Sequence, residues 1–75
     1  MNSFPNSVPD KIKISFFEYQ RREWEKVLET SVSSKNSENH PETQMHWENI
    51  SNYAQERIEE IDKQLEQLKI NAATR

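Results

Sequence analysis

Residues 54–72, AQERIEEIDKQLEQLKINA, decide the fold class of this chain. Their apolar residues recur in alternating steps of four and three, which is the spacing of a coiled-coil seam. Upstream, Pro41 suits the first position of a helix, and Glu42 places an acidic side chain in its first turn. Neither glycine nor proline interrupts the chain after Pro41. We therefore predict one long helix over about residues 42–71.

A shorter helix is predicted before it, over about residues 15–32. Ser15 and Glu18 have the spacing of a capping box, in which each side chain satisfies a backbone donor of the first turn. A start near Pro9 is an alternative, and the alternation in KIKIS, residues 11–15, is also compatible with extended chain. On a helical wheel, one sector collects the apolar and aromatic residues of this helix: Phe16, Phe17, Trp24, Val27, Leu28 and Val32.

Polar segments separate and flank the two helices. Residues 1–9 contain two prolines with asparagine and serine and are predicted to form a flexible arm, and residues 33–41, SSKNSENHP, a loop. We expect residues 73–75 to fray. Residues 10–72 are thus predicted to be an all-α, antiparallel two-helix hairpin with a long second helix.

Composition excludes several classes of protein. The 75 residues contain no cysteine, which removes disulfides and thiolate metal sites. They contain no glycine, on which tight hairpin turns and phosphate-binding loops depend. The N-terminal sequence has no signal-peptide pattern, and no stretch approaches the about 18 apolar residues of a membrane helix. We expect a cytoplasmic protein, with the nucleus as the alternative.

Helix lengths predict self-association. A first helix over 15–32 would reach back along the second only to about Arg57, so the remaining seam would have no partner within the chain. A homodimer that forms a four-helix bundle or a short coiled coil would cover it. The residues assigned to this self-association seam are Ala54, Ile58, Ile61, Leu65 and Leu68.

Aromatic residues near arginines raise the possibility of a nucleic-acid platform. Stacking platforms present rings and basic groups on the same surface, whereas Arg22 and Lys26 point away from the apolar sector of the wheel. We therefore interpret eight residues as core or partner-facing: Phe16, Phe17, Trp24, Val27, Leu28, Trp47, Ile50 and Tyr53. The alternative keeps a basic cluster on the first helix as a nucleic-acid contact: Lys11, Lys13, Arg21, Arg22 and Lys26.

Candidate chemistry is sparse. His40, Glu42 and His46 are too few for a structural zinc site, and no cysteine can complete the set. The carboxylates between Glu56 and Glu66 are typical of a solvated helix face. We predict no enzyme, no cofactor, no metal and no small-molecule substrate. The favoured function is a helical protein-interaction module that adapts, regulates or inhibits a larger protein, and the alternative is a dimeric nucleic-acid-associated regulator.

Overall fold

Two helices make up the fold. The computed structural model describes Phe4 and residues 7–73. Helix α1 spans Asp10–Ser37 and helix α2 spans Pro41–Ala73, and the part of the chain that is described contains no strand. The helices pack along each other. The predicted all-helical hairpin is confirmed.

Helix α1 begins at Asp10, at the alternative start near Pro9 rather than at the favoured start near Ser15. Pro9 is extended, and its carbonyl accepts backbone hydrogen bonds from Ile12 at 3.0 Å and from Lys13 at 3.2 Å, which closes the first turn. Ser15 lies inside the helix, where its hydroxyl donates to the Lys11 carbonyl at 3.2 Å. That bond is the usual way for a serine within a helix to satisfy its side chain. Ser15 therefore does not form the predicted capping box.

Helix α1 also ends later than predicted. The segment SSKNS, residues 33–37, belongs to the helix rather than to the predicted loop over 33–41. The Ser37 hydroxyl donates to the carbonyls of Ser33 and Ser34, both at 3.2 Å, so its polarity is satisfied within the last turn. Polar residues without glycine or proline can continue a helix when packing against a second helix supports it.

A connection of three residues, 38–40, reverses the chain. One carboxylate oxygen of Glu38 accepts hydrogen bonds from the backbone amides of Asn39 and His40, at 3.0 and 3.1 Å. The side-chain amide of Gln44 donates to the Glu38 carbonyl at 2.7 Å and ties the start of α2 to the end of α1. Pro41, which lacks a backbone donor, occupies the first position of α2.

Pairs across the two helices fix an antiparallel register. Arg21 pairs with Asp62 and Lys35 pairs with Glu48, and the residue numbers in each pair add up to 83. The hydroxyls of Ser31 and Ser51, whose numbers add up to 82, lie 2.7 Å apart. A constant sum means that the helices run in opposite directions without a shift. It places Phe17 level with Leu65 and Leu28 level with Ala54.

The same register shows a seam of alternating three- and four-residue steps on both helices. On α1 it runs through Ile14, Phe17, Arg21, Trp24, Leu28 and Ser31, and on α2 through Ser51, Ala54, Ile58, Ile61, Leu65 and Leu68. At about 1.5 Å per residue, α1 is about 42 Å long and α2 about 50 Å. Helix α1 therefore covers nearly the whole of α2.

The terminal predictions fall mostly outside the described residues. Of the predicted arm, residues 1–3, 5 and 6 lie outside them, as do residues 74 and 75 of the predicted frayed C-terminus. Phe4 is described, and its ring packs edge-on against Phe16 at 5.3 Å and Phe17 at 5.7 Å. This part of the arm lies against α1.

Candidate functional site: an aromatic face of the hairpin

The predicted self-association seam is buried within a single chain. Ala54, Ile61 and Leu65 are the buried apolar residues of the described part, with exposed fractions of 0%, 2% and 6%. Ile58 and Leu68 are half-buried. The reasoning that assigned them to a second chain assumed a short α1. Because α1 begins at Asp10, these residues already have an intramolecular partner.

The eight residues predicted as core or partner-facing separate into two groups. Phe17, Trp24, Leu28 and Trp47 occupy the inter-helix seam and are half-buried. The other four are exposed: Phe16, Val27, Ile50 and Tyr53. Val32, placed in the same apolar sector by the wheel, is exposed as well.

Exposed and half-buried apolar side chains from both helices meet on one broad side of the hairpin. We call this surface the aromatic face and define it by six residues: Tyr19, Trp24, Val27, Trp47, Ile50 and Tyr53. Trp24 joins the two helices there, since its ring lies edge-on to Tyr53 with centroids 5.5 Å apart. The guanidinium of Arg57 lies 6.0 Å from the Trp24 ring, within the range of a cation–π interaction.

Two shallow grooves cross the aromatic face. One, of about 250 Å³, runs between Val27 and Thr30 on α1 and Trp47 and Ile50 on α2. The other, of about 300 Å³, is lined by residues of α1 only, including Tyr19, Trp24 and Val27. The grooves share Val27, so the surface is continuous. It is open and apolar, which suits contact with another protein surface better than enclosure of a small molecule.

The opposite broad side is charged. Asp62 lies nine residues after Tyr53, about half a turn around α2. Arg21 extends from the seam to this side, where its Nε donates to Asp62 Oδ1 at 2.6 Å and its Nη1 donates to Glu25. The hydrogen bond to Asp62 raises the pKa of Arg21 above its ordinary value. We call this side the charged face.

Charge is divided unequally between the two faces. Beside the aromatic face, three basic residues stand against two acidic ones: Lys13, Lys26 and Arg57 against Glu23 and Glu60. Along the charged face, seven acidic residues outnumber three basic ones: Glu18, Glu25, Glu29, Glu48, Glu59, Asp62 and Glu66 against Lys11, Arg22 and Lys69. Even with Arg21 and Lys35 added from the seam, the charged face remains negative.

The predicted basic cluster does not form one surface. Lys11 and Arg22 lie on the charged face, whereas Lys13 and Lys26 lie beside the aromatic face. Arg21 is engaged by Asp62 and Glu25. Lys13 lies 4.0 Å from Asp10, and Lys26 lies 3.7 Å from Glu23. The five basic groups are therefore divided between two faces, and three of them lie close to carboxylates.

No metal-binding arrangement is found among the residues that the structure describes. No three side chains of the histidine, aspartate and glutamate type come together there. Glu42 and His46 do line one shallow groove at the start of α2, together with Thr43, Met45 and Asn49. His40 belongs to a different groove, with Pro41, Glu42 and Thr43.

Two features of the site escaped prediction from sequence. The seam of α1 contains Arg21 and Ser31, so a search for apolar spacing favours the adjacent stripe through Phe16 and Val27. Extending the three-and-four spacing through these polar positions would have found it. One part of the Ser31–Ser51 pair was indicated by the sequence, because extending the α2 seam backward from Ala54 places Ser51 on it.

Comparison with known proteins adds no relative. No protein family, curated protein or solved structure matches this chain. Among the described residues, neither helix has the length and apolarity needed to cross a membrane.

Proposed function

We propose that this chain is a small, non-enzymatic protein-interaction module that binds through its aromatic face. The observation that carries the proposal is the placement of half-exposed Tyr19 and Tyr53 beside Val27 and Ile50 on one side of the hairpin. Contiguous exposed apolar surface marks interaction sites, and tyrosine and tryptophan are common anchors in them.

The aromatic face replaces the seam as the binding surface. Ile61 and Leu65 are covered by α1, so a partner could reach them only by opening the hairpin. Val27, Ile50 and Tyr53 are reachable in the folded state. A homodimer and a four-helix bundle remain predictions, and in either of them the contact would form through the aromatic face.

Catalysis is disfavoured by the shape of the surface. The grooves on the aromatic face are open, and their linings consist mainly of apolar and hydroxyl side chains. General acid–base catalysis needs groups held in a site that excludes water. An adaptor, regulator or inhibitor of a larger protein needs only a stable, specific surface.

Nucleic-acid binding is the weaker alternative. A binding stripe places several lysines and arginines where they can reach phosphates together. The five basic residues of the predicted cluster point in different directions, and three of them are paired with carboxylates in the same chain. A mobility shift that weakens steeply with salt would revive this alternative.

Two matched valine variants test the proposal. Val27 on the aromatic face and Val32 on the charged face belong to the same helix and are 38% and 44% exposed. Five residues separate them, which is about 140° around the helix. Val27→Glu and Val32→Glu therefore make the same chemical change at similar exposure on different sides.

Affinity capture compares these variants with the wild-type chain, each immobilised through an added tag. Proteins bound to wild type and Val32→Glu, but lost with Val27→Glu, would support the aromatic face. Circular dichroism must show equal helicity for the three proteins. If the bound proteins are lost with Val32→Glu but kept with Val27→Glu, the proposal is contradicted.

A further inference from the structure

We propose that the partner of the aromatic face is a second copy of this chain, packed face to face about a two-fold axis to form a four-helix bundle. This inference rests on the proposed function, because it names the occupant of the same surface. Its support comes from the width of the face, its charge and the distribution of apolar residues over both helices.

The width of the face fits two helices better than one. The hairpin measures 53 × 20 × 14 Å, so a broad side is 20 Å wide. A single helix with side chains is about 10–12 Å across. A lone helix laid between Val27 and Ile50 would leave Tyr19 or Tyr53 in water. A second hairpin has the same width and can cover the whole face.

The broad side that contains the aromatic face is large enough for a stable dimer. A specific interface of standard size takes about 800 Å² from each partner. The dimensions of the broad side give a flat footprint of about 1,000 Å², since it measures 53 by 20 Å. The six residues of the aromatic face would form the apolar centre, and the polar side chains beyond them would form the rim that such interfaces have.

Charge favours a second copy over a strongly charged partner. Like charges brought together across an interface oppose association, which penalises self-association of a charged surface. The aromatic face is nearly neutral, because Glu23 and Glu60 offset all but one of the basic residues beside it, Lys13, Lys26 and Arg57. Arg57 and Glu60 already pair at 2.7 Å within the chain. The negative excess lies on the charged face, which would point outward from the dimer.

The apolar residues are arranged so that the face can pack against itself. In a two-fold dimer the same patch is used by both copies. In the antiparallel register, Val27 on α1 lies nearly level with Tyr53 on α2, close to the middle of the patch. An axis passing between them would place the Val27 side of one copy against the Tyr53 side of the other. Val27 of each copy then meets Tyr53 of the other.

Sedimentation equilibrium tests this inference directly. We expect purified wild-type protein to pass from monomer to dimer between about 1 μM and 1 mM, a range in which specific association is measurable. Val27→Glu should weaken the dimer at least about tenfold, because it places a carboxylate from each copy in the apolar centre. Val32→Glu should leave dimerisation unchanged within about twofold, since it lies on the charged face.

Tyr53→Lys provides a second variant that is compatible with folding. Its side chain is 55% exposed in the single hairpin, so the replacement should fold and should also weaken the dimer about tenfold. Circular dichroism at the lowest concentration confirms that each variant retains helicity. Disruption by Val27→Glu and Tyr53→Lys together, with Val32→Glu unaffected, is the result we expect.

Two outcomes would overturn the inference. A wild-type chain that stays monomeric up to about 1 mM does not use this face for itself. A dimer that resists Val27→Glu and Tyr53→Lys but is lost with Val32→Glu uses another surface. If the chain is monomeric and affinity capture still depends on Val27, the occupant is a different protein and the proposed function stands. If neither measurement depends on Val27, both proposals fail.

Discussion

Ile61 and Ile70 offer a direct test of the intramolecular seam. Both are isoleucines on α2, but Ile61 is 2% exposed at the contact with α1 and Ile70 is 50% exposed. If α1 covers the seam within one chain, Ile61→Ala should destabilise the monomer strongly and Ile70→Ala only slightly. If the seam instead serves a second chain, neither replacement should matter for the monomer.

The size of the effect follows from the buried carbon atoms. Ile61→Ala removes three carbons from a fully buried site, and about 0.8 kcal/mol for each gives about 2.4 kcal/mol. A cavity that does not collapse adds to this, so we expect a loss of about 3 kcal/mol. At Ile70, partial exposure and the higher helix propensity of alanine keep the change within about 0.5 kcal/mol.

Such a loss would be large for a chain of this length. At about 0.05–0.15 kcal/mol per residue, 75 residues have a free energy of unfolding of about 4–11 kcal/mol. Losing about 3 kcal/mol would remove a quarter or more of it. The midpoint of unfolding by urea should therefore fall markedly for Ile61→Ala.

Urea unfolding followed by circular dichroism measures both free energies. The experiment is done in the Val27→Glu background and at the lowest usable concentration, so that unfolding is not coupled to association. Equal destabilisation by Ile61→Ala and Ile70→Ala would refute the antiparallel register. A stability unchanged by Ile61→Ala would show that α1 does not pack on this part of α2.

Three further replacements probe single contacts by the same unfolding assay. Ser31→Ala should lower the free energy of unfolding by about 1 kcal/mol, because it removes one partner of the Ser31–Ser51 pair. The double replacement Ser31→Ala with Ser51→Ala should cost little more than the single one. Strictly additive losses would contradict the pair. Arg21→Gln should lower the free energy of unfolding by only about 0.5 kcal/mol, since the partly exposed ion pair with Asp62 is screened by solvent. This loss should shrink in high salt. A loss independent of salt would argue against an ionic contribution. Phe4→Ala should lower the free energy of unfolding by about 1 kcal/mol, because it removes the edge-on ring contacts with Phe16 and Phe17. Phe4→Leu should recover part of this loss. If neither replacement has an effect, Phe4 does not pack on α1.

The fold class followed from local features of the sequence. The absence of glycine and the spacing of residues 54–72 both favour helix, and α2 spans Pro41–Ala73 where 42–71 was predicted. Such features are readable because each residue in them acts through neighbours three or four positions away. A hairpin then follows from the short connection between the two helices.

The extent of α1 depended on contacts that local patterns do not contain. KIKIS and SSKNS have weak helical signals, and both become helical where they lie along α2. Lys35, for example, pairs with Glu48 at 3.7 Å across the hairpin. Because the predicted α1 was short, the seam of α2 was assigned to a second chain. An error of a few residues at a boundary thus changed the surface that is assigned to association.

The position of the candidate site was not predicted from the sequence either, because polar residues occupy part of the α1 seam. Apolar spacing alone places Phe16, Val27 and Val32 inside, since it counts Arg21 and Ser31 as outward-facing. In the structure the long side chain of Arg21 reaches from the seam to carboxylates on the charged face, and Ser31 finds a hydroxyl partner in Ser51. Polar residues that satisfy their hydrogen bonds can hold seam positions. Phe16, Val27 and Val32 therefore lie on the surface of the hairpin.

The distribution of apolar surface links stability to association. Three apolar residues of the described part are buried, whereas nine large ones are exposed. A domain of this size has a thin margin of stability without a partner, metal or disulfide. Anything that binds the folded hairpin at Val27, Ile50 and Tyr53 therefore stabilises the fold as well, in proportion to the logarithm of its concentration. If that partner is a second copy, the melting temperature itself must rise with protein concentration, and Val27→Glu must abolish the rise while Val32→Glu preserves it.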